Sequence, residues 1–152
     1  MKTNLGKYSY RNDKSVPDFP DIGPVCVMDA QCALCAKGAR WIARNDRSEE
    51  FRIFPVQSAV GQALLRHFVL NPEDPKSWLY LSEGQAYTSM DAVIRVGTRL
   101  GGRWRFLQLL RLLPRSLQDW LYGHVARNRY RFFGRTDMCS LPDAALQKRL
   151  WP

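Results

Sequence analysis

A short strand runs into the start of a helix in the stretch Val25-Cys26-Val27-Met28-Asp29-Ala30-Gln31-Cys32-Ala33-Leu34-Cys35. Its first four residues are apolar and include β-branched side chains, which predicts a buried strand. Residues 35 to about 45 combine apolar and charged side chains in the manner of a surface helix. Cys32 and Cys35 therefore stand at the junction, where a helix N-terminus leaves backbone N–H groups unpaired.

The apolar pattern after this stretch predicts the element order βαβαββ, followed by three helices. The elements that complete the sheet are a strand at 51–54, a helix from Ser58 to Phe68, and strands at 78–81 and 85–87. The three helices fall at 89–100, at 104–113 and from Ser116 to about residue 133. This order predicts an α/β fold with a helical C-terminal extension that starts at about residue 90.

Length and composition bound the domain organisation. A chain of 152 residues with 45% hydrophobic content predicts one domain. Residues 1–23 are polar and lack a periodic apolar pattern, so we expect a mobile leader before a single domain at 24–152. No apolar run approaches the roughly 18 residues of a membrane-spanning helix. Because residues 1–10 also lack the apolar centre of a secretory signal, we expect a cytoplasmic protein.

The net charge of +9 is concentrated in one segment. Residues 92–136 contain ten arginines, no lysine and one acidic residue, Asp119, whereas the rest of the chain is balanced. We expect the aromatic side chains of this segment to pack inward and the arginines to face solvent. Those aromatic residues are Trp104, Phe106, Trp120, Tyr122, Tyr130, Phe132 and Phe133.

This basic segment bears on the choice of partner. Its positive field favours an acidic partner protein, or an acidic small thiol such as glutathione, as the molecule steered towards the cysteines. Nucleic acid is disfavoured because no binding motif is present. Residues 103–115 are the best amphipathic candidate for peripheral membrane contact, which is also the less favoured interpretation.

The spacing of Cys32 and Cys35 favours redox chemistry. Two cysteines at i and i+3 can form a disulfide within one helical turn. The helix N-terminus stabilises a thiolate, so Cys32 is the predicted nucleophile and Cys35 the resolving thiol. Asp29 ends the strand just before the pair, where it either exchanges a proton with Cys35 as a general base or caps the turn.

Two alternatives for the pair stay open, namely a zinc site and an inert pair. A closed zinc site needs two further ligands, from Cys139, His67, His124 or a carboxylate, and no second paired motif is present. We therefore expect no metal and no cofactor beyond the dithiol. Both histidines are expected to have structural or surface roles, and Cys26 is expected to be an inert buried thiol.

Three ordered blocks resemble the DCC family of thiol-disulfide oxidoreductases. The first contains Asp29, Cys32 and Cys35, and the second is Thr88-Ser89-Met90-Asp91-Ala92. The third is Ala126-Arg127-Asn128-Arg129-Tyr130-Arg131-Phe132-Phe133-Gly134-Arg135, followed by Asp137, Cys139, Leu141 and Pro142. The resemblance implies a thioredoxin-like central sheet and disulfide exchange with a protein or small disulfide through Cys32 and Cys35.

The resemblance also points to two auxiliary residues and one departure. Cys139 recurs in the family pattern, which makes it either a third redox thiol or a structural cysteine. A thioredoxin-like site has a cis-proline before the strand that faces the cysteines, and here Ser77 directly precedes Trp78 in its place. Family members usually have glycine after the motif aspartate, whereas this chain has Ala30, which restricts the turn.

Overall fold

The chain forms a four-stranded mixed sheet with helices on both faces. A computed structural model describes residues 5–71 and 78–151, in which the strands are β1 Val25–Met28, β2 Arg52–Pro55, β3 Leu79–Ser82 and β4 Gln85–Tyr87. They lie in the order β2-β1-β3-β4, with β1 parallel to β2 and the two remaining pairs antiparallel. This architecture confirms the α/β prediction and is consistent with a thioredoxin-like fold.

The helices alternate with the strands in the predicted order βαβαββ. The α-helices are α1 Ala33–Asn45, α2 Ala59–His67, α3 Ser89–Leu100, α4 Arg115–Phe133 and α5 Ala144–Gln147. Short 3-10 helices occur at Ser9–Asn12, Gly102–Leu112 and Met138–Ser140. The side chain of Ser58 accepts a hydrogen bond from the backbone N–H of Gly61, as expected for the N-cap of α2.

Strand β1 contributes to a separate core on each face of the sheet, because successive side chains of a strand point in opposite directions. Cys26 and Met28 pack with α1 and α3, whereas Val25 and Val27 pack with α2. All four strand residues are buried. The end of β1 is therefore fixed from both sides, and the loop that carries the cysteines starts from a rigid position.

Residues 5–23 contribute to the second core. Tyr10 is only 3% exposed, packs in the cluster of β1 and α2, and donates a hydrogen bond to Asp21 Oδ2 at 2.8 Å. The backbone N–H of Tyr8 donates to the carbonyl of Gly84 at 2.9 Å. The mobility expected for residues 1–23 stays a prediction. The aromatic residues of the described part of this segment lie against the sheet, because they bury apolar surface there.

The basic C-terminal region differs from the sequence prediction in two ways. The segment expected as a helix at 104–113 is a 3-10 helix without a buried residue. The prediction that the aromatic side chains of the basic segment pack inward is wrong for four residues, which are 40–59% exposed: Phe106, Trp120, Phe132 and Phe133. Apolar residues lie all around these helices, so one packed face cannot cover them. In the part of the chain that the structure describes, no helix is long and apolar enough to cross a membrane.

The C-terminus anchors the far end of α1. The Ile53 N–H donates to the carbonyl of Arg149, and the Trp151 N–H donates to the carbonyl of Ile53, both at 2.8 Å. The Arg149 side chain is buried and donates from Nε to Asp46 Oδ2 at 2.8 Å. Asp46 follows the last residue of α1, so this ion pair holds the helix whose other end carries the cysteines.

Candidate active site

Cys32 and Cys35 lie at the start of α1. Cys32 is the N-cap residue with an extended backbone, and its Sγ accepts a hydrogen bond from the Cys35 N–H at 3.4 Å. Both thiols are free rather than joined in a disulfide. Cys32 is fully buried, whereas Cys35 is partly exposed. The pair therefore shows the reduced form of a dithiol whose more exposed member is the second cysteine.

The two thiols have opposite pKa shifts. The Cys35 thiol donates a hydrogen bond to the Cys32 sulfur, and this bond outweighs burial and lowers the pKa of Cys32 to about 6. The Cys35 N–H and the charge of Arg129 act in the same direction. The same thiol–thiol bond, together with burial, raises the pKa of Cys35. These opposite shifts favour a thiolate at Cys32 and a protonated thiol at Cys35.

Arg129 of α4 links the dithiol to Asp29. Its guanidinium donates from Nη1 to Cys35 Sγ at 3.4 Å and from Nη2 to Asp29 Oδ2 at 2.8 Å. The residue is 5% exposed, so its charge acts in a poorly solvated site. The neighbouring Tyr130 hydroxyl also donates to Asp29 Oδ2. Helix α4 thus brings one positive charge to the sulfurs and two donors to the carboxylate.

The carboxylate of Asp29 has donors at every acceptor position. Oδ1 accepts from the Gln31 N–H at 2.9 Å and from Gln57 Nε2 at 2.8 Å, while Oδ2 accepts from Arg129 and Tyr130. Burial raises the pKa of Asp29, but these hydrogen bonds and the Arg129 charge outweigh it, so the pKa lies below its ordinary value. Because an ionised carboxylate has about four acceptor positions, none is left for a thiol proton.

This geometry separates the two roles predicted for Asp29. In the described residues no hydrogen bond joins the carboxylate to either sulfur. The bond to the Gln31 N–H is the turn-capping contact that the sequence suggested as the alternative. The contacts thus favour Asp29 as the residue that orients Arg129 and caps the turn over its role as a general base.

A C-terminal segment covers Cys32. Residues 134–136 run antiparallel to the cysteine loop, with a bridge between Cys32 and Arg135. The Ala33 N–H donates to the Gly134 carbonyl at 3.2 Å, and the Thr136 N–H donates to the Gln31 carbonyl at 3.0 Å. This pairing accounts for the burial of Cys32, because the segment lies directly over the residue that carries the thiolate.

An apolar cavity of about 360 Å³ lies beside Cys35, between α1 and α4. Cys35 and Arg129 form part of its wall. The remaining wall is mainly apolar and includes Met28, Leu34, Trp41, Trp78, Val93 and Val125. The partly exposed thiol of the pair is therefore reached alongside an apolar surface.

The other predicted residues lie apart from this arrangement. Cys139 is exposed in the 3-10 helix Met138–Ser140, and no described contact joins its thiol to the pair. Ser77 lies outside the described residues. Cys26 is fully buried, and burial raises its pKa, as fits an inert thiol. The structure brings together Asp29, Cys32 and Cys35.

The histidines and the zinc alternative can be placed in the same way. His67 Nδ1 is 2.7 Å from Asp13 Oδ2, and its Nε2 is 2.8 Å from Ser9 Oγ, which is a structural contact. His124 stacks on Trp120, with ring centroids 5.6 Å apart. Across residues 5–71 and 78–151, no group of three or more histidine, cysteine or acidic side chains is placed to hold a metal ion.

Sequence reasoning missed three residues of the site: Arg129, Tyr130 and Gln57. The first two lie in the third block of the resemblance, and that block was the available signal for them. The sequence pattern predicts a solvent-facing side chain for Arg129 as for the other arginines of this segment, and this prediction is wrong because the side chain is buried. Gln57 follows β2 without any pattern around it, and only the parallel pairing of β1 and β2 brings it to Asp29.

Comparison with known proteins identifies the family of this chain. A family model described as DCC1-like thiol-disulfide oxidoreductase matches residues 26–135, which include both cysteines, Asp29 and Arg129. This chain belongs to that family. The DCC1-like match therefore spans both halves of the site, the strand-to-helix junction and helix α4.

Two curated relatives extend the DCC1-like assignment over most of the chain. An uncharacterized protein of Bacillus subtilis strain 168, YuxK, is 33% identical over 128 residues, which cover 84% of this chain and 93% of the relative. The chloroplastic DCC family protein At1g52590 of Arabidopsis thaliana is 31% identical over 122 residues, covering 80% of this chain and 71% of that protein. No solved structure matches this DCC1-like chain.

Proposed function

We propose that this protein catalyses thiol–disulfide exchange, with Cys32 as the nucleophile and Cys35 as the resolving thiol. The observation that carries the proposal is the position of Cys32 at the N-cap of α1, where its sulfur accepts a hydrogen bond from the Cys35 N–H. With a pKa of about 6, Cys32 is mainly a thiolate at neutral pH, and the thiolate is the attacking species.

The reaction proceeds in two balanced steps. The Cys32 thiolate attacks one sulfur of a disulfide R–S–S–R′, forms a mixed disulfide with the R–S group and releases R′–S⁻, which takes a proton from water. Cys35 then attacks the Cys32 sulfur and displaces R–S⁻, which receives the Cys35 proton. The dithiol loses two electrons and the substrate disulfide gains them, after which an external dithiol such as dithiothreitol reduces the enzyme again.

Arg129 acts as a positioning and charge-stabilising residue in this scheme. Its guanidinium lies at the Cys35 sulfur, helps to lower the pKa of Cys32 and opposes the rise in the pKa of Cys35. When Cys35 becomes the attacking group, the same charge favours its thiolate. Asp29 holds the guanidinium in place and stays ionised. This assignment replaces proton transfer by Asp29 with orientation of Arg129.

Access to Cys32 is part of the proposal. The sulfur is buried under residues 134–136, so a substrate reaches it only when this segment moves or when the substrate enters beside Cys35. Two backbone hydrogen bonds tie residues 134–136 to residues 31–33, and the Met138 N–H donates to the Ala30 carbonyl at 2.8 Å just beyond them. Displacing the segment as far as residue 137 therefore breaks the first two bonds.

The proposal is tested by trapping the mixed disulfide. Reduced protein is mixed with oxidised glutathione, and the products are identified by mass spectrometry of the intact protein and its peptides. We expect a Cys32–Cys35 disulfide in the unmodified chain and glutathione trapped on Cys32 in Cys35→Ser. Cys139→Ser is the control and should behave as the unmodified chain. If the Cys32→Ser variant reduced oxidised glutathione as well as the unmodified chain does, Cys32 would be excluded as the nucleophile.

A second candidate, a binding module with a basic helical face, is favoured by one observation. Exposed apolar side chains, among them Phe106 and Leu112, lie in the segment that carries the net positive charge. This alternative predicts salt-sensitive binding to poly-glutamate, a generic acidic polypeptide, that survives the double change Cys32→Ser, Cys35→Ser. Absence of such binding at low salt would exclude it. The expected absence of zinc and the cytoplasmic location stay predictions.

A further inference from the structure

We propose that the cavity between α1 and α4 selects disulfides that carry an apolar group on the sulfur attacked by Cys32. This inference rests on the exchange function above and names the class of substrate that the same site takes. The R group of the mixed disulfide would occupy the cavity until Cys35 displaces it.

The cavity lies next to the dithiol. Cys35 forms part of the wall, and it is the partly exposed member of the pair. The Cys35 N–H donates to the Cys32 sulfur, so a group attached to that sulfur starts beside the cavity. Residues 134–136 pair with the loop that carries Cys32. The cavity is thus the route to the pair that does not require this segment to move.

The cavity wall has the size and the apolar character of a small-molecule site. A cavity of about 360 Å³ is within the range of small-molecule sites, roughly 300–1,000 Å³. Trp41, Trp78 and Val93 present apolar surface to it, and Val125 at its edge is 41% exposed. Transfer of an alkyl or aromatic group from water to such a surface is favourable. The wall therefore discriminates by apolar area.

The test uses mixed disulfides of glutathione with methane-, propane- and pentanethiol and the Cys35→Ser, Cys139→Ser variant. Attack on the alkyl sulfur leaves an alkyl adduct on Cys32, whereas attack on the other sulfur leaves glutathione there. We expect the ratio of alkyl to glutathione adduct to rise about two- to fourfold per methylene, because burying one CH₂ contributes up to about 0.8 kcal/mol. The ratio obtained with free cysteine corrects for intrinsic reactivity.

A pair of glycine substitutions locates the effect. Gly38 lines the cavity on α1, and a Cβ there would lie 3.4 Å from Met28 Cε, an ordinary contact, so Gly38→Leu fills the space. Gly123 lies on α4, and a Cβ there meets nothing within 4 Å. We expect Gly38→Leu to abolish the dependence on chain length and Gly123→Leu to keep it.

The outcomes separate this inference from the proposed function. Adducts that form on Cys32 with a ratio independent of chain length overturn the cavity as the selecting site and leave the exchange function standing. Failure of every disulfide to form an adduct overturns the exchange function itself. If the Gly38→Leu variant does not fold, the series of alkyl disulfides measured on the Cys35→Ser, Cys139→Ser variant still decides the inference.

Discussion

Replacement of Arg129 by methionine removes the positive charge that joins the dithiol to Asp29. Both partners of the ion pair are buried, with side chains 6% and 8% exposed. Removing one member of a buried pair destabilises a protein by about 3–5 kcal/mol, because the other charge is left uncompensated. Asp29 keeps three other donors, so we expect the lower end, about 3 kcal/mol. For a chain of this size that lowers Tm by roughly 6–12 °C.

The same substitution changes the titration of the site. Without the guanidinium, the pKa of Cys32 rises, because one of the causes that lower it is gone. A thiol with a folded-state pKa below its unfolded value stabilises the fold above the unfolded pKa, and this stabilisation is lost as the pH falls through the folded value. Removing Arg129 reduces that contribution. The loss of stability from Arg129→Met should therefore be larger at pH 8 than at pH 5.

Urea unfolding followed by circular dichroism measures the stability, and thiolate absorbance at 240 nm measures the titration of Cys32. Arg127→Met is the matched control on the same helix, since that arginine is exposed, and we expect a change within about 0.5 kcal/mol. Arg129→Met combined with Asp29→Asn should be more stable than Arg129→Met alone. A loss below about 1 kcal/mol, as for an exposed pair, with Cys32 still titrating near its original pH would refute the reasoning.

Three further expectations concern hydrogen bonds and charges around the site. Tyr130→Phe should lower the free energy of unfolding in urea by about 1.5–3 kcal/mol, because the Tyr130 hydroxyl donates to a buried carboxylate. Tyr122→Phe is the control: its hydroxyl has no described hydrogen bond, so the loss should be about 0.5 kcal/mol or less. Arg149→Met should lower the free energy of unfolding by about 3–5 kcal/mol, because it breaks a buried ion pair. The Arg44 side chain is 64% exposed, so Arg44→Met should lower it by only about 0–1 kcal/mol. Equal losses in the two variants would contradict this expectation. In pH titrations, one thiolate should appear with a midpoint of about 6 and vanish in Cys32→Ser.

The sheet half of the fold could be predicted because its signals are local. A short apolar run at β1 and an alternating stretch at β2, each ended by a polar or turn residue, predict strands without knowledge of their partners. The basic half gave weaker signals. Apolar residues and arginines alternate there without a single face, so the pattern does not say which side chains pack, and Phe106 and Trp120 are exposed. The burial of Tyr10 could not be predicted, because isolated aromatic residues in a polar segment carry no periodicity.

Only the part of the candidate site that lies within one short stretch of sequence could be predicted. Asp29, Cys32 and Cys35 are neighbours in sequence, and helix N-terminal chemistry applies to them directly. Arg129 lies 94 residues after Cys35, so its contact with that thiol depends on how α4 packs against α1. Because α4 also leads into residues 134–136, one C-terminal unit supplies both the charge that favours the thiolates and the cover over Cys32. Opening that cover for a substrate therefore need not remove Arg129 from the dithiol, because Arg129 is held separately by Asp29.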